Sequence, residues 1–213
     1  MIGISGRQTK REDEITAARE DAARKVAMYY GLFAESETVQ SIGSGFLDHY
    51  VDSTISLKYD QQFEKYIDTL SFDPKQNIIN SDGVLFVRFT CPVPFTGTIS
   101  YSSGTKPDGS PEWTSRPPVI AGNYIIGVGH SGRQLRLKDT VYKSYESAAA
   151  ALAAQISTTI ETKETADTGA YQNTSVIIQK SAGELNNFAV IEIWIDPDNL
   201  SVWTLAVAEN RGK

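Results

Sequence analysis

Two short segments place an arginine and a glutamine directly before a stretch with helical spacing: Arg7 with Gln8, and Arg133 with Gln134. A guanidinium group can hold a carboxylate or a phosphate through two parallel hydrogen bonds, so these residues could contact an anionic ligand or a partner chain. The competing interpretation is structural. Each arginine would then pair with the aspartate six residues further along, or with the backbone at the start of its own helix. On residue types alone we favour the structural interpretation.

The segment Gly127-Val128-Gly129-His130-Ser131-Gly132 matches the glycine pattern of dinucleotide-binding folds and follows an apolar strand. The context argues against that function. In such folds the helix starts at the glycines, whereas a polar stretch at residues 133–138 intervenes here. A second segment near the start of the chain keeps Gly3 and Gly6 without the full pattern. We therefore predict that these glycines shape a strand-to-helix turn, and we expect no cofactor.

Histidines and carboxylates form no stronger catalytic or metal-binding pattern. His49 and His130 are the only histidines, and neither has Cys, Asp or Glu at metal-ligand spacing in a second cluster. Ser131 adjoins His130, but a catalytic triad also needs a carboxylate that meets both in space. The turn Asp196-Pro197-Asp198-Asn199 lacks the glycine and the distal glutamate of a calcium-binding hand. The sequence predicts no catalytic residue and no metal site.

Trp113, in the predicted linker between the two copies of the Ser-Gly-Arg-Gln segment, is the last candidate contact residue. The competing interpretation is that Trp113, Trp194 and Trp203 face a core, as aromatic residues in strands usually do.

The only cysteine, Cys91, ends an apolar run and is expected in the core. A single cysteine excludes an intramolecular disulfide.

The elements that position these residues occur twice. Aligning each position n with position n + 126 pairs Gly3 with Gly129 and gives ten identities in the 25 positions that start there. An internal repeat of this kind determines how many units the chain contains. The Ser-Gly-Arg-Gln segment is therefore part of a duplicated unit.

Each copy is predicted to contain an amphipathic helix, because apolar residues recur three and four positions apart. These residues are Ile15, Ala18, Ala22, Val26 and Tyr30 in the first copy, and Val141, Tyr145, Ala148, Leu152 and Ile156 in the second. The first helix also carries many charged residues, among them Glu14, Asp21 and Lys25, and we expect that face to be solvated. The alanine-rich second helix is expected to pack tightly against a sheet or another helix.

Stretches rich in β-branched residues follow each helix, at residues 51–57 and 157–162, and long strands are predicted at residues 83–91, 188–195 and 201–208. The intervening segment, residues 97–118, is rich in Gly, Pro, Ser and Thr and predicts a linker. We therefore predict an α+β protein of two tandem modules, residues 1–96 and 119–213. Each module would be a helix packed on an antiparallel β-sheet. The first copy has no counterpart of the strand at residues 123–126, so we expect native residues upstream of Met1.

The composition is that of a folded, acidic protein. Hydrophobic residues make up 40% and charged residues 22% of the 213 residues, which argues against wholesale disorder. A net charge of -6 gives no reason to expect nucleic acid, whose binding depends on neutralising phosphates. No run approaches the ~18 apolar residues of a membrane span.

Several segments resemble a bacterial family of small outer-membrane lipoproteins, the LPP-twenty family. The second copy carries the likeness, and its segments are Pro111-Glu112-Trp113, Tyr124-Ile125-Ile126-Gly127-Val128-Gly129, the alanine-rich helix, Trp194-Ile195-Asp196 and Trp203-Thr204-Leu205-Ala206. The first copy resembles the family more loosely and has a longer insertion between its helix and its final strands.

The resemblance implies an α+β module, a periplasmic or outer-membrane location, and a signal sequence with a lipid-bearing cysteine upstream. It carries over no catalytic residue. We therefore expect a non-enzymatic cell-envelope lipoprotein that acts as a structural or accessory component through contacts with envelope proteins or with itself. Its membrane contact would be only through the lipid anchor. The alternative is an envelope protein with a small-molecule site between the two modules, near Arg7, Arg133 or Trp113.

Overall fold

The protein has a mixed α+β fold, in which two long helices pack on antiparallel sheets. The computed structural model describes residues 1–42, 49–72, 78–81, 83–91, 104–115, 123–166 and 173–209. The fold class expected from the sequence, a helix packed on an antiparallel sheet, is confirmed.

The described residues of the first copy form five strands and one long helix. Their bounds are β1 Ile2–Gly6, α1 Arg11–Tyr30, β2 Leu32–Ile42, β3 His49–Tyr59, β4 Ile78–Ser81 and β5 Val84–Arg88. A 3-10 helix, Phe63–Thr69, lies between β3 and β4. The predicted strands at residues 51–57 and 83–91 thus correspond to β3 and β5.

The part of the second copy that the structure describes forms four strands and the other long helix. Their bounds are β6 Tyr124–Ser131, α2 Leu137–Ile156, β7 Thr158–Ala166, β8 Asn173–Ile195 and β9 Val202–Glu209. A short 3-10 helix, Glu112–Thr114, precedes them. The predicted strands at residues 157–162, 188–195 and 201–208 correspond to β7, the second half of β8, and β9.

The strands form two antiparallel sheets with related topology in the two copies. The smaller sheet has the order β1-β5-β4, and the larger has the order β3-β2-β8-β9-β6 with β7 also paired to β8. In each copy the first strand pairs with the last, β1 with β5 and β6 with β9. The long strand β8 of the second copy corresponds to two strands of the first copy, β3 and β4. Its first half pairs with β7 and its second half pairs with β9.

The two copies share the larger sheet. Strand β2 of the first copy pairs along its whole length with β8 of the second, from Leu32 opposite Leu185 to Ile42 opposite Ser175. The helix α2 packs on this joint sheet, in a core that includes Leu32, Leu152 and Leu185. The division into two modules around residues 97–118 therefore stays a prediction, because the structure gives the copies a common sheet and core.

The predicted apolar faces of the helices are buried along most of their length. Ala18, Ala22 and Val26 of α1 are buried, as are the first four predicted positions of α2. The last predicted position of each helix, Tyr30 and Ile156, is exposed because the helix ends there.

The expected solvation of the charged face of α1 is wrong for Glu14, Asp21 and Lys25, which are all buried. Strand β1 packs along α1, and Tyr142 and Tyr145 of α2 reach the side chains of Asp21 and Lys25. Asp21 and Lys25 are therefore enclosed between α1, β1 and α2.

Glycines let the first strand of each copy lie directly on its helix. A Cβ atom at Gly3 would lie 1.9 Å from the carbonyl oxygen of Ala18, and one at Gly129 would lie 2.1 Å from that of Ser144. Ala18 and Ser144 are themselves related by the 126-residue offset. Both copies therefore need a glycine at the same close approach of strand and helix.

Neither α1 nor α2, nor either 3-10 helix in the described parts of the chain, combines the length and apolar character needed to cross a membrane.

Replacing Gly129 with alanine should destabilise the protein strongly. The new Cβ would overlap the backbone of α2, and relief requires strand and helix to separate, which we expect to cost about 3 kcal/mol of the free energy of unfolding. Gly132→Ala is the matched control, because a Cβ at Gly132 meets nothing within 4 Å. Chemical denaturation of both variants is the measurement, and equal losses of stability would contradict the assigned packing role.

Candidate functional site

The two repeated turns meet at one cleft. Arg7 of the first turn and Arg133 of the second both line a cleft of about 380 Å³, together with Arg136 and Lys138. Gln134 also lines it, while Gln8 does not. We call this the cationic cleft. The fold thus brings together three of the five residues singled out from the sequence.

The Ser-Gly-Arg-Gln segments are confirmed as structural turns by hydrogen bonds that repeat in register. The hydroxyl groups of Ser5 and Ser131 each donate to the next carbonyl oxygen, at 2.8 and 3.0 Å. The backbone N–H groups of Gln8 and Gln134 each donate, at 3.0 Å, to the side chain six residues ahead. Those acceptors are Glu14 and Thr140, so the turn geometry is retained although the acceptor differs.

The favoured structural interpretation of the two arginines is not what the structure shows. Asp139 pairs instead with Arg136, whose Nε lies 2.7 Å from the carboxylate, and Glu14 pairs with Arg11 at 2.8 Å. Neither Arg7 nor Arg133 makes a hydrogen bond or an ion pair with the part of the chain that the structure describes. Both side chains are exposed, so their guanidinium groups are available to a ligand.

Trp113 lies away from the cationic cleft. Its side chain is buried in a core with Ile126, Leu205 and Val207. Its indole N–H has no hydrogen-bond partner among the described residues. The core interpretation of Trp113 is therefore confirmed, and a ligand could not reach this ring without opening the core.

The glycine pattern at residues 127–132 serves packing. Gly127 and Gly129 lie within β6, and the space in front of both is filled by α2, where the nearest atoms include the carbonyl oxygens of Ala148 and Ser144. A pyrophosphate cannot enter between strand and helix at this point. Gly127 and Gly129 therefore allow β6 to lie close to α2. Of the predicted turn glycines in this segment, only Gly132 lies in the turn itself.

His130 takes part in an aromatic contact. Its ring lies 4.3 Å from the Trp203 ring, centroid to centroid, and its backbone N–H donates to the Ser147 hydroxyl group at 3.3 Å. The side chain of His49 lies outside the described residues. Within the described ranges no three His, Cys, Asp or Glu side chains are grouped as metal ligands would be.

The turn Asp196-Pro197-Asp198-Asn199 is confirmed as a hairpin connection between β8 and β9. The Asp196 carboxylate accepts hydrogen bonds from the backbone N–H of Asp198 at 2.9 Å and from the Asn199 amide at 2.8 Å. The backbone N–H of Asp196 donates to the Ser201 carbonyl at 2.9 Å. This carboxylate therefore stabilises the turn itself.

A buried polar cluster, which the sequence analysis missed, joins the two copies. The Asp21 carboxylate accepts hydrogen bonds from the backbone N–H of Ile4 and from Lys25 Nζ, both at 2.8 Å, and from the Tyr142 hydroxyl group. Lys25 Nζ also donates to the Ile2 carbonyl at 2.9 Å. The cluster therefore ties β1 and α1 of the first copy to α2 of the second.

The repeat contained one signal for this cluster. Asp21 aligns with Ser147, whose hydroxyl group accepts the equivalent hydrogen bond from His130, and Lys25 aligns with Ala151. The first copy thus carries a charged pair where the second has small residues. This difference in residue type indicates that the aligned positions differ between the two copies in burial or in their contacts.

Burial dominates the titration of this cluster. It lowers the pKa of Lys25, although the neighbouring Asp21 acts in the opposite direction. It raises the pKa of Tyr142 and of Tyr145, and the negative charge of Asp21 raises both further. Both oxygens of Asp21 already accept hydrogen bonds, so the cluster is a clamp between elements and has no free base to offer a substrate.

A larger cavity lies between the two sheets. It has a volume of about 680 Å³ and is lined by β1, β4 and β5 on one side and by residues 188–195 of β8 on the other. Its lining is mainly apolar, and the charged side chains that line it in the described part of the chain are Lys25, Arg88 and Glu192. We call this cavity the inter-sheet groove. Its size and apolar character are those of a binding site.

Comparisons of the chain with protein-family models, with curated proteins and with solved structures found no match. The cationic cleft and the inter-sheet groove are therefore interpreted from their own geometry.

Alkaline unfolding should report the buried tyrosines. Their raised pKa values mean that above about pH 10 the unfolded chain loses protons that the folded protein keeps, so the free energy of unfolding falls as the pH rises. Each such tyrosine contributes a slope of about 1.4 kcal/mol per pH unit. Tyr142→Phe should therefore make the decline shallower by about that amount.

Urea denaturation at a series of pH values above about 9 measures this slope. The lowered pKa of Lys25 has the opposite effect, since below the unfolded-state value of 10.5 the unfolded chain binds more protons. The wild type and Tyr142→Phe share this contribution of Lys25 to the pH dependence. Parallel stability curves for the wild type and Tyr142→Phe would rule out a buried, protonated Tyr142.

Proposed function

We propose that this chain is a non-enzymatic bacterial cell-envelope protein that binds an extended segment of a partner protein in the inter-sheet groove. The observation that carries the proposal is the way β8 lines this groove. All eight residues 188–195 contribute to the lining. Successive side chains of a strand point to opposite faces except at irregularities such as the one between Val190 and Glu192, so this run of lining residues supports a strand edge at the cavity.

The pairing of β8 supports this interpretation. Over its second half β8 pairs with β9, and among the described strands none pairs with the opposite edge at residues 188–191. The smaller sheet contributes residues of all three strands to the groove, among them Ile2 of β1, Ile79 of β4 and Phe86 of β5. A strand edge with unpaired backbone groups can accept an added strand, and an apolar groove beside it supplies pockets for alternate side chains.

The groove walls suit apolar side chains. Ile79 of β4 is 67% exposed at the groove, and Phe86 of β5 and Ile193 of β8 are partly buried beside it. Burying such surface stabilises a complex by roughly 25 cal/mol per Å² before the cost of ordering the partner. A partner strand with apolar residues at alternate positions would cover these side chains and complete the backbone hydrogen bonding of β8.

A role in binding, without turnover, agrees with the polar groups of the described residues. The buried carboxylate of Asp21 is saturated with donors, and the His130 ring contacts the Trp203 ring at a tilt, with no carboxylate bonded to it in the described residues. The envelope location and the lipid anchor rest on the resemblance of the second copy to the LPP-twenty lipoproteins. Fractionation of cells that express the full-length gene tests the location, and recovery in the cytoplasm would contradict it.

Strand addition predicts a specific pattern of peptide binding. The probe is a fluorescein-labelled eight-residue peptide of alternating valine and threonine, and fluorescence anisotropy measures its affinity. Ile79→Glu should weaken binding about tenfold, because it places a charge on the apolar wall. Ile156→Glu is the matched control, since Ile156 is a 45% exposed isoleucine outside the groove.

A second peptide distinguishes strand addition from simple apolar contact. N-methylation of alternate amides removes the donors on one edge of the peptide and leaves its side chains in place. Methylation on the edge that faces β8 should abolish binding, while methylation on the other edge should preserve it. Equal binding of both methylated peptides, or equal effects of Ile79→Glu and Ile156→Glu, would refute the proposed binding mode.

A further inference from the structure

The cationic cleft is separate from the inter-sheet groove and has a different chemical character. Among the described residues, its lining includes four cationic side chains, Arg7, Arg133, Arg136 and Lys138, and no Asp or Glu. The whole chain has a net charge of -6, so this concentration of positive charge is opposite in sign to the protein as a whole. Such a local field attracts anions.

Two of these four cationic side chains already interact with a neighbouring side chain. Arg136 makes a two-pronged pair with Asp139, at 2.7 and 3.2 Å, and Lys138 lies 5.5 Å from the centre of the Tyr142 ring. Arg7 and Arg133 have no such partner among the described residues. Neither guanidinium group is therefore neutralised by an ion pair within that part of the chain.

The backbone fixes where these two side chains begin. Each arginine lies between a serine-stabilised turn and a glutamine whose N–H is bonded to the following helix. The turns are thus rigid, and β1 and β6, which end in them, are held closely on α1 and α2. Arg7 and Arg133 line the same cleft from two copies of one motif, and each side chain carries a fork of N–H donors.

The chemistry of two guanidinium forks selects an oxyanion with several acceptor oxygens. A phosphate group has the charge and geometry for charge-assisted hydrogen bonds to both arginines. A cleft of about 380 Å³ has room for a phosphate together with part of the molecule that carries it. Leu135, which also lines the cleft, is 99% exposed and adds an apolar contact beside the cations.

We propose that Arg7 and Arg133 jointly bind a phosphate group in the cationic cleft between the two repeated turns. The phosphate can be carried by a soluble anion or by the headgroup of an anionic lipid. The exposed Leu135 distinguishes these sources, because an apolar side chain among cations inserts beside the acyl chains of a lipid surface but adds little to the binding of a free anion.

Calorimetric titration with inorganic pyrophosphate tests the soluble source. Arg7→Gln and Arg133→Gln should each weaken binding at least tenfold, because each removes one of the two forks. Lys143→Gln is the charge-matched control. Lys143 is an exposed cation of α2 that pairs with Glu146 outside the cleft, so its loss should leave the affinity unchanged.

Sedimentation with lipid vesicles tests the membrane source. The probes are vesicles of phosphatidylcholine alone and of phosphatidylcholine with phosphatidylglycerol. If the headgroup is the ligand, only the anionic vesicles should bind the protein, and Arg7→Gln, Arg133→Gln and Leu135→Gln should each reduce the bound fraction. If a soluble phosphate is the ligand, Leu135→Gln should leave pyrophosphate binding unchanged.

The arginine variants should fold normally, because neither side chain has a partner to lose in the described structure, and an unchanged thermal unfolding midpoint verifies this. The proposal is overturned if the wild type binds neither pyrophosphate nor anionic vesicles. It is equally overturned if Arg7→Gln and Arg133→Gln bind both probes as tightly as Lys143→Gln does. Ile79→Glu, which alters the inter-sheet groove, should not affect either titration, so the two sites are tested independently.

Discussion

The buried Asp21 carboxylate is the interaction on which the arrangement of the two copies depends. It accepts hydrogen bonds from the backbone of β1, from Lys25 on its own helix and from Tyr142 on the helix of the other copy. A buried charge is tolerated only when its oxygens are saturated with donors, so this group tolerates little displacement of β1, α1 and α2 from one another. The cluster thus sets the relation between the copies at the point where their helices meet.

Both binding surfaces follow from this junction. The lining of the groove includes Lys25 and Tyr145, two members of the same cluster. The cationic cleft lies at the far end of β1 and β6, where the two repeated turns converge beside the start of α2. A shift of one copy against the other would therefore widen or close both sites.

The duplication explains how one chain acquired two different surfaces. Features required for folding are retained in both copies, as shown by Gly3 and Gly129 against their helices and by the serine-stabilised turns. Positions at the contact between the copies have diverged, and the clearest case is Asp21, which is aligned with Ser147 in the repeat. An aligned position can contact the other copy in one repeat and lie elsewhere in the second repeat. The two residues at such a position therefore differ in polarity.

The sequence by itself determined the repeat, the two helices, most strands and the Asp196 hairpin, because these depend on local periodicity and turn chemistry. It also singled out Arg7 and Arg133, but it favoured intramolecular partners for them, because it could not show that Asp139 pairs with Arg136. The burial of Asp21 and Lys25, the joint sheet formed by β2 and β8, and the convergence of the two turns were decided only by the tertiary structure. Each depends on contacts between residues distant in sequence, and helical spacing carries no information about what covers a charged face.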